Sequence, residues 1–336
     1  MENFILKRLW LDRDQKARQD WEWVMDQANL GKTEQVDYTI AIYHHSGDIA
    51  ATGSLDRNIL KCLVVCKKYQ SENLLTHLVM ALLDELRERS YTNSFVYTKP
   101  KNIVFFKSLG YRVVAETENL AFLEQGIPSF SDYLKLLKEH FVEGSSNSAI
   151  VMNANPFTLG HQYLVETAAS QSSHLYVFVV SEDRSFFNTN DRMEMVKRGV
   201  SHLPNVTVLP TRDYMVSSAT FPSYFLKEKA DLEVAKVQAT LDATLFLENI
   251  VPTLQLTKRF VGQEPLSPVT SVYNDALKAA FGKDLELVII DRLSVREEVV
   301  SATRVRAAIQ DKNVDELKQL VPATTYHYLE EKHFIG

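Results

Sequence analysis

Two short constellations of hydroxyl, imidazole and guanidinium side chains could do chemistry in this chain, and they lie far apart in sequence. The first is Thr158, Gly160 and His161, inside the stretch AIVMNANPFTLGHQYLVETAA at 149–169. The second is Ser301, Thr303, Arg304 and Arg306, inside VVSATRVRAAI at 299–309. A threonine and a histidine three apart share one face of a helix. The first turn of a helix offers unpaired N–H groups and the positive end of the dipole, which together suit an anion. Hydroxyls and guanidinium groups at a second helix start are again chemistry for phosphate. T-x-G-H alone also reads as a capping threonine, a glycine and a partly buried histidine, and spacing leaves both readings open.

The elements that would position these residues follow from the local pattern. The apolar run Ala149–Met152 reads as a buried parallel strand, too short for a helix. Asn153, Asn155 and Pro156 stop it. Leu164, Val165 and Ala168 then recur at helical spacing, so a helix begins near Thr158–Leu159 and Gly160 removes a side chain where a phosphate would approach. The second constellation follows another apolar run, Leu285–Ile290, in the same way.

This pair resembles the signature of the nucleotidyltransferase superfamily, a T/H-x-G-H motif early and an I-S-S-T-x-x-R motif late. The resemblance implies that Thr158 and His161 act at the α-phosphate as catalytic residues. It implies that Ser301, Thr303 and Arg306 hold the β- and γ-phosphates, and that Asn155, Phe157 and Gly160 complete the nucleotide site. Ala302 stands where the second serine is usual, which removes one possible phosphate hydrogen bond.

The remainder of the second half alternates strand and helix. Strands are expected at 174–181, 205–209, 258–262 and 285–290, with helices at 191–201, 232–250 and 271–281. That order predicts a doubly wound, Rossmann-like parallel sheet that takes its ligand at the carboxyl ends of the strands. Further candidates are Glu182 and Asp183 for a ribose, substrate or Mg²⁺, and Arg212 and Lys227 for phosphate. The aromatic segment 218–227 is a candidate lid or a packing element, Gln263-Glu264 would face the nucleotide, and Asp191 reads as a charge at a helix start.

The first half reads as a separate mixed α+β domain. A strand at 3–9, a helix at 12–29, a hairpin at 37–54, a strand at 59–65 and a Leu-rich helix at 74–89 come first. A strand at 94–98, a helix at 102–109 and a closing pair at 111–123 complete it. With FFKSLGYRVV at 105–114, this order resembles the acetyltransferase fold of the GNAT superfamily. The loop that binds coenzyme A in that family corresponds here to Gln70–Leu75, which has no glycine and carries Glu72, so the fold is expected without an acetyltransferase site. A helical connector at 127–142 and a flexible linker at Gly144–Ser148 are expected between the halves, giving domains at 1–126 and 148–336 joined by 127–147.

Composition sets outer bounds. The chain has 336 residues, is 45% hydrophobic and 24% charged, and carries a net charge of −6, which argues against a general nucleic-acid partner. No apolar stretch approaches the roughly 20 residues needed to span a bilayer, and MENFILKRLW at the start has no signal-peptide pattern. Cys62 and Cys66 in KCLVVC read as buried thiols on one face of a strand, and a reduced, cytoplasmic protein is expected.

The two domain types, with NANPFTLGH, VVSEDRS, TFPSYF, VGQEP and SATRVR in order, together resemble the citrate lyase ligase family. The resemblance implies that ATP, with Mg²⁺, and acetate form acetyl-AMP and pyrophosphate. The acetyl group then passes to the prosthetic thiol on the acyl-carrier subunit of citrate lyase, which switches the lyase on. A plain adenylyltransferase and a GNAT-type acetyltransferase are the alternatives.

Overall fold

The computed structural model describes residues 3–31, 35–181, 185–215, 231–263, 268–295 and 298–335. They form two compact units, one of the residues up to 132 with 231–237, the other of those from 133 to 215 and from 238 onward.

The first unit is built on β1 (Phe4–Leu9), α1 (Gln15–Gln27), β2 (Tyr38–His44), β3 (Ile49–Asp56), β4 (Ile59–Val65) and α2 (Leu74–Glu88). It continues with β5 (Asn93–Thr98), α3 (Ile103–Ser108), β6 (Arg112–Glu116) and β7 (Ala121–Gly126). α1 starts where Asp14 caps the Ala17 N–H, and it buries Trp21, Val24 and Met25. α2 buries Leu78, Leu82, Leu83 and Leu86 on the stripe that its spacing predicts. The sheet order is β1-β2-β3-β4-β5-β7-β6, the mixed sheet that the GNAT resemblance implies. β4 and β5 run parallel and pair only at Ile59–Leu60 with Phe95–Val96. Between β4 and α2, Lys67–Glu72 winds as a 3₁₀ turn and Asn73 takes a left-handed conformation, φ +52°, in a loop that contains no glycine. Cys62 and Cys66 are buried and are not joined in a disulfide.

The second unit holds β8 (Asn147–Met152), α5 (Leu159–Ser170), β9 (His174–Val179), α6 (Thr189–Val200) and β10 (Val206–Pro210), after α4 (Phe130–Glu139). Next along the chain come α7 (Asp231–Leu245), whose residues from 238 onward belong to this unit, a π-helical turn at Phe246–Ile250 and α8 (Val251–Leu254). β11 (Leu256–Gly262), α9 (Pro268–Phe281), β12 (Glu286–Ile290) and a two-stranded ribbon, β13 (Ser294–Val295) with β14 (Glu298–Val299), follow. α10 (Ala302–Gln310), α11 (Val314–Leu320) and α12 (Ala323–Glu331) close the chain.

The five main strands are all parallel, in the order β10-β9-β8-β11-β12. The chain moves outward from β8 to β10, then returns to place β11 on the other side of β8. The switch point therefore lies beside β8, and a crevice is expected outside the carboxyl ends of its strands. The core under that edge joins Ile150, Phe157, Val165, Val177, Met195, Phe260 and Val305.

Two expectations are corrected here. Asn147 and Ser148, expected in a flexible linker, are the first residues of β8 and are fully buried. Asn147 Nδ2 donates to the carbonyls of Val142 and Leu254, so the amide nitrogen is paired inside the fold. The helix expected at 232–250 is interrupted by the π turn, because Pro252 in the first turn of α8 has no N–H to continue the ladder.

Candidate active site

The turn between β8 and α5 is the centre of the site. Ala154 adopts a left-handed conformation, φ +49°, and the Asn155–Pro156 peptide is cis. Thr158 is the N-cap of α5, extended in backbone, and only 1% exposed. Its Oγ1 accepts from the His161 N–H at 3.3 Å, while His161 Nδ1 accepts from the Thr158 N–H at 3.1 Å and lies 2.9 Å from Thr158 Oγ1. Threonine and histidine thus cap one another.

That reciprocal cap fixes the chemistry of the imidazole. With Nδ1 an acceptor, the neutral ring carries its proton on Nε2, which has no hydrogen-bond partner among the described residues. Dense packing around the ring, and then the Arg292 charge, push the His161 pKa down to about 4. At neutral pH the site therefore presents an uncharged N–H donor. Next to it are the first-turn N–H groups of Leu159 and Gly160, which no hydrogen bond among the described residues takes up.

The second constellation reaches this turn. Ser301 caps α10 by accepting from the Arg304 N–H at 3.3 Å. Arg306 Nη1 donates to the Asn155 carbonyl at 2.6 Å, and its Nη2 donates to Thr303 Oγ1 at 3.0 Å. A Cβ on Gly160 would stand 3.4 Å from the Val300 carbonyl, so this glycine admits the backbone of the second motif. Arg304 turns elsewhere, to Glu316 at 3.0 Å.

Several sequence candidates have different tasks from those expected. Phe157, expected against the nucleotide, is fully buried. Its ring stacks on His161 at 5.9 Å and leaves no surface for a ligand. The Thr158 hydroxyl, expected at the α-phosphate, is buried and lies 2.9 Å from His161 Nδ1, so it orients the imidazole. Asn155 Oδ1 accepts from the Phe187 N–H at 3.0 Å. Asp191, by contrast, is the helix-start charge expected of it, in the first turn of α6, and it accepts from Tyr328 Oη at 2.7 Å. Arg212 donates its backbone N–H to Ser181 Oγ, and its guanidinium lies 6.0 Å from the Tyr133 ring. Glu182, Asp183, Glu264 and residues 218–227, including Lys227, lie outside the described residues.

Two arginines gain roles that the sequence reading did not give them. Arg192 is fully buried, and donates to the carbonyls of Phe187, Val180 and Asn153, to Asn153 Oδ1 and to Thr189 Oγ1. It pins the end of β9 to the turn that carries the first motif. Arg292 lies just beyond β12 and donates from Nε to the Gln263 carbonyl at 2.8 Å. Its signal in sequence was a basic residue directly after a strand, at the carboxyl edge.

A donor-rich edge with a neutral imidazole can bind a polyanion and polarise it. A family profile described as "Citrate lyase ligase C-terminal domain" matches residues 147–329. The chain belongs to the citrate lyase ligase family. It is 36% identical over 331 residues to a [citrate [pro-3S]-lyase] ligase of Klebsiella pneumoniae, covering 97% of this chain and 96% of that one. It is 33% identical over 330 residues to a ligase of the same name from Haemophilus influenzae, covering 96% and 97%. Among solved structures, an acetyltransferase of the GNAT family from Staphylococcus aureus aligns with 37% of this chain and 99% of its own at 13% identity, TM-score 0.30.

Proposed function

We propose that this enzyme activates citrate lyase in two steps, first making acetyl-AMP from acetate and ATP, then acetylating a thiol on the acyl-carrier subunit. The observation that carries this reading is the match to citrate lyase ligases along nearly the whole chain. In the first step an acetate oxygen forms a bond to the α-phosphorus, and the bond from that phosphorus to the bridging oxygen breaks. Pyrophosphate leaves with the electron pair. In the second step the thiolate sulfur bonds to the acetyl carbon and AMP departs.

The first step needs no protein nucleophile, only alignment and relief of charge. His161 Nε2–H would donate to an α-phosphate oxygen, with Thr158 fixing its tautomer. The α5 first turn would receive the phosphates, and Ser301, Thr303 and Arg306 would face the β- and γ-groups. Mg²⁺ fits as an ion carried mainly by the phosphates. No group of three or more His, Cys, Asp or Glu among the described residues could hold one, and this ion is commonly held through substrate phosphates. No helix among the described residues is long and apolar enough to cross a membrane, in keeping with work in the cytoplasm. In this reading residues 1–126 form the acetyltransferase-like domain, 127–147 the connector and 148–336 the adenylylating domain.

The test is pyrophosphate release from ATP and Mg²⁺, with and without acetate, and with and without thiol-form citrate lyase. Acetate-dependent release and restored lyase activity are expected. Release that ignores acetate but responds to phosphopantetheine would move the chain to the plain adenylyltransferases.

A further inference from the structure

Of the two guanidinium groups in the second motif, Arg304 turns to Glu316, and Arg306 commits both of its Nη atoms to the protein: one to the Asn155 carbonyl, the other to Thr303. Both atoms are engaged in holding the turn. A third guanidinium, Arg292, stands at the same edge of the sheet. Its position follows from a continuous set of contacts. The Gln263 N–H donates to the Ile290 carbonyl at 2.8 Å, and the Gln263 carbonyl receives Arg292 Nε at 2.8 Å, so the ends of β11 and β12 are laced together around it. One residue on, the Leu293 carbonyl accepts from the Val300 N–H at 3.1 Å. The Val300 carbonyl in turn rests against Gly160, next to His161. Arg292 is thereby carried to the start of α5.

We propose that Arg292 is a further phosphate-binding residue of the nucleotide site, its guanidinium holding the α-phosphate beside His161, while Arg306 braces the turn between the two motifs on the side of the β- and γ-groups. This rests on the adenylation reading above. Acetate and the ATP polyphosphate are both anions, and a fixed planar cation next to the reacting phosphorus relieves the repulsion between them. The same charge acts on His161 and disfavours the imidazolium, which keeps the Nε2–H donor neutral. Burial lowers the Arg292 pKa as well, the cost of seating a cation in this edge. A bound phosphate would offset that cost.

The test uses the full chain with Arg292→Gln and Arg292→Lys. Three quantities are measured: Mg-ATP affinity by calorimetry without acetate, acetate-dependent exchange of pyrophosphate into ATP, and the His161 titration by NMR. Arg292→Gln is expected to weaken ATP binding roughly 10-fold and to slow exchange about 100-fold. It should also move the His161 titration to higher pH. Arg292→Lys should recover part of the binding and hold His161 near its native titration. If Arg292→Gln binds ATP and exchanges as the native protein does, the proposal falls while the adenylation reading stands. A native protein that binds ATP but shows no acetate-dependent exchange sinks the adenylation reading instead, and the ATP affinities of the variants still decide whether Arg292 touches phosphate. Should Arg292→Gln fail to fold, native affinity and native exchange in Arg292→Lys would overturn the proposal.

Discussion

Arg306 Nη1 donates to the Asn155 carbonyl at 2.6 Å, across 151 residues of chain. Asn155 belongs to the turn that ends β8, and Arg306 to the second turn of α10, so this one bond joins the two constellations into a single site. A charge-assisted hydrogen bond of this type contributes roughly 1.5–3 kcal/mol. Arg306→Ala is therefore expected to lower the melting temperature by about 3–10 °C and to weaken Mg-ATP binding as the turn loosens. Arg306→Lys keeps charge but loses the fork to Asn155 and Thr303, and should recover only part of both. Melting curves with and without ATP would check this; native values in Arg306→Ala would remove the brace from the mechanism.

His161 gives the site a defined acid limit. Its folded pKa, about 4, lies below the ordinary 6.5. Between those values the unfolded chain binds a proton that the folded chain refuses, so stability falls as pH drops through that window and is unaffected above it. Replacing His161 by Gln should flatten this part of the stability–pH curve. In the same experiment His161→Ala should slow acetate-dependent exchange by about 100-fold or more, while the lost half of the cap costs about 1 kcal/mol. Proportionate losses of activity and stability would mean that His161 is structural only.

Much of this was legible in the sequence because the informative segments are short and strongly patterned. The apolar run at 149–152 ends abruptly at Asn153 and Pro156, and the next apolar residues fall at helical spacing, so the junction at Thr158 follows from local chemistry alone. Parallel strands separated by helices made the sheet legible too. What stayed hidden depends on partners distant in the chain. Asn147 looks like linker chemistry until the carbonyls of Val142 and Leu254 are brought to it. Phe157 sits inside the motif, yet its ring packs inward beneath His161. Arg292 has no motif around it, and only the register of β12 on β11 carries it to the site.

Arg192 tests how far the site depends on a buried cation. Its guanidinium is 0% exposed and satisfies three carbonyls and two side-chain oxygens in the loops that end β8 and β9. Arg192→Met keeps much of the volume but leaves those acceptors unpaired in the interior. A loss of about 3–5 kcal/mol is expected, seen as a large fall in the denaturation midpoint. Arg192→Lys can satisfy only some of them and should lie between. A small change in Arg192→Met would show that water replaces the guanidinium and that the turn keeps its shape without it.

Gly199 offers the most selective way to move His161 without touching it. A Cβ at this position in α6 would press into Phe157 Cε1 and stand 2.6 Å from Cδ1, closer than packed atoms allow. The Phe157 ring is enclosed on all sides and has the His161 imidazole stacked on it at an interplanar angle of 17°. Gly199→Ala must therefore displace the ring, and the ring must displace the imidazole. Overpacking of this kind costs about 1–3 kcal/mol, and the misplaced donor should slow exchange at least about 10-fold. Adding Phe157→Leu makes room for the new methyl group and should return stability further than activity, since the imidazole then loses its stacking support. Measured together, melting temperature and exchange rate in the single and double variants separate the two effects. Full activity in Gly199→Ala would mean that His161 holds its place through the Thr158 cap alone.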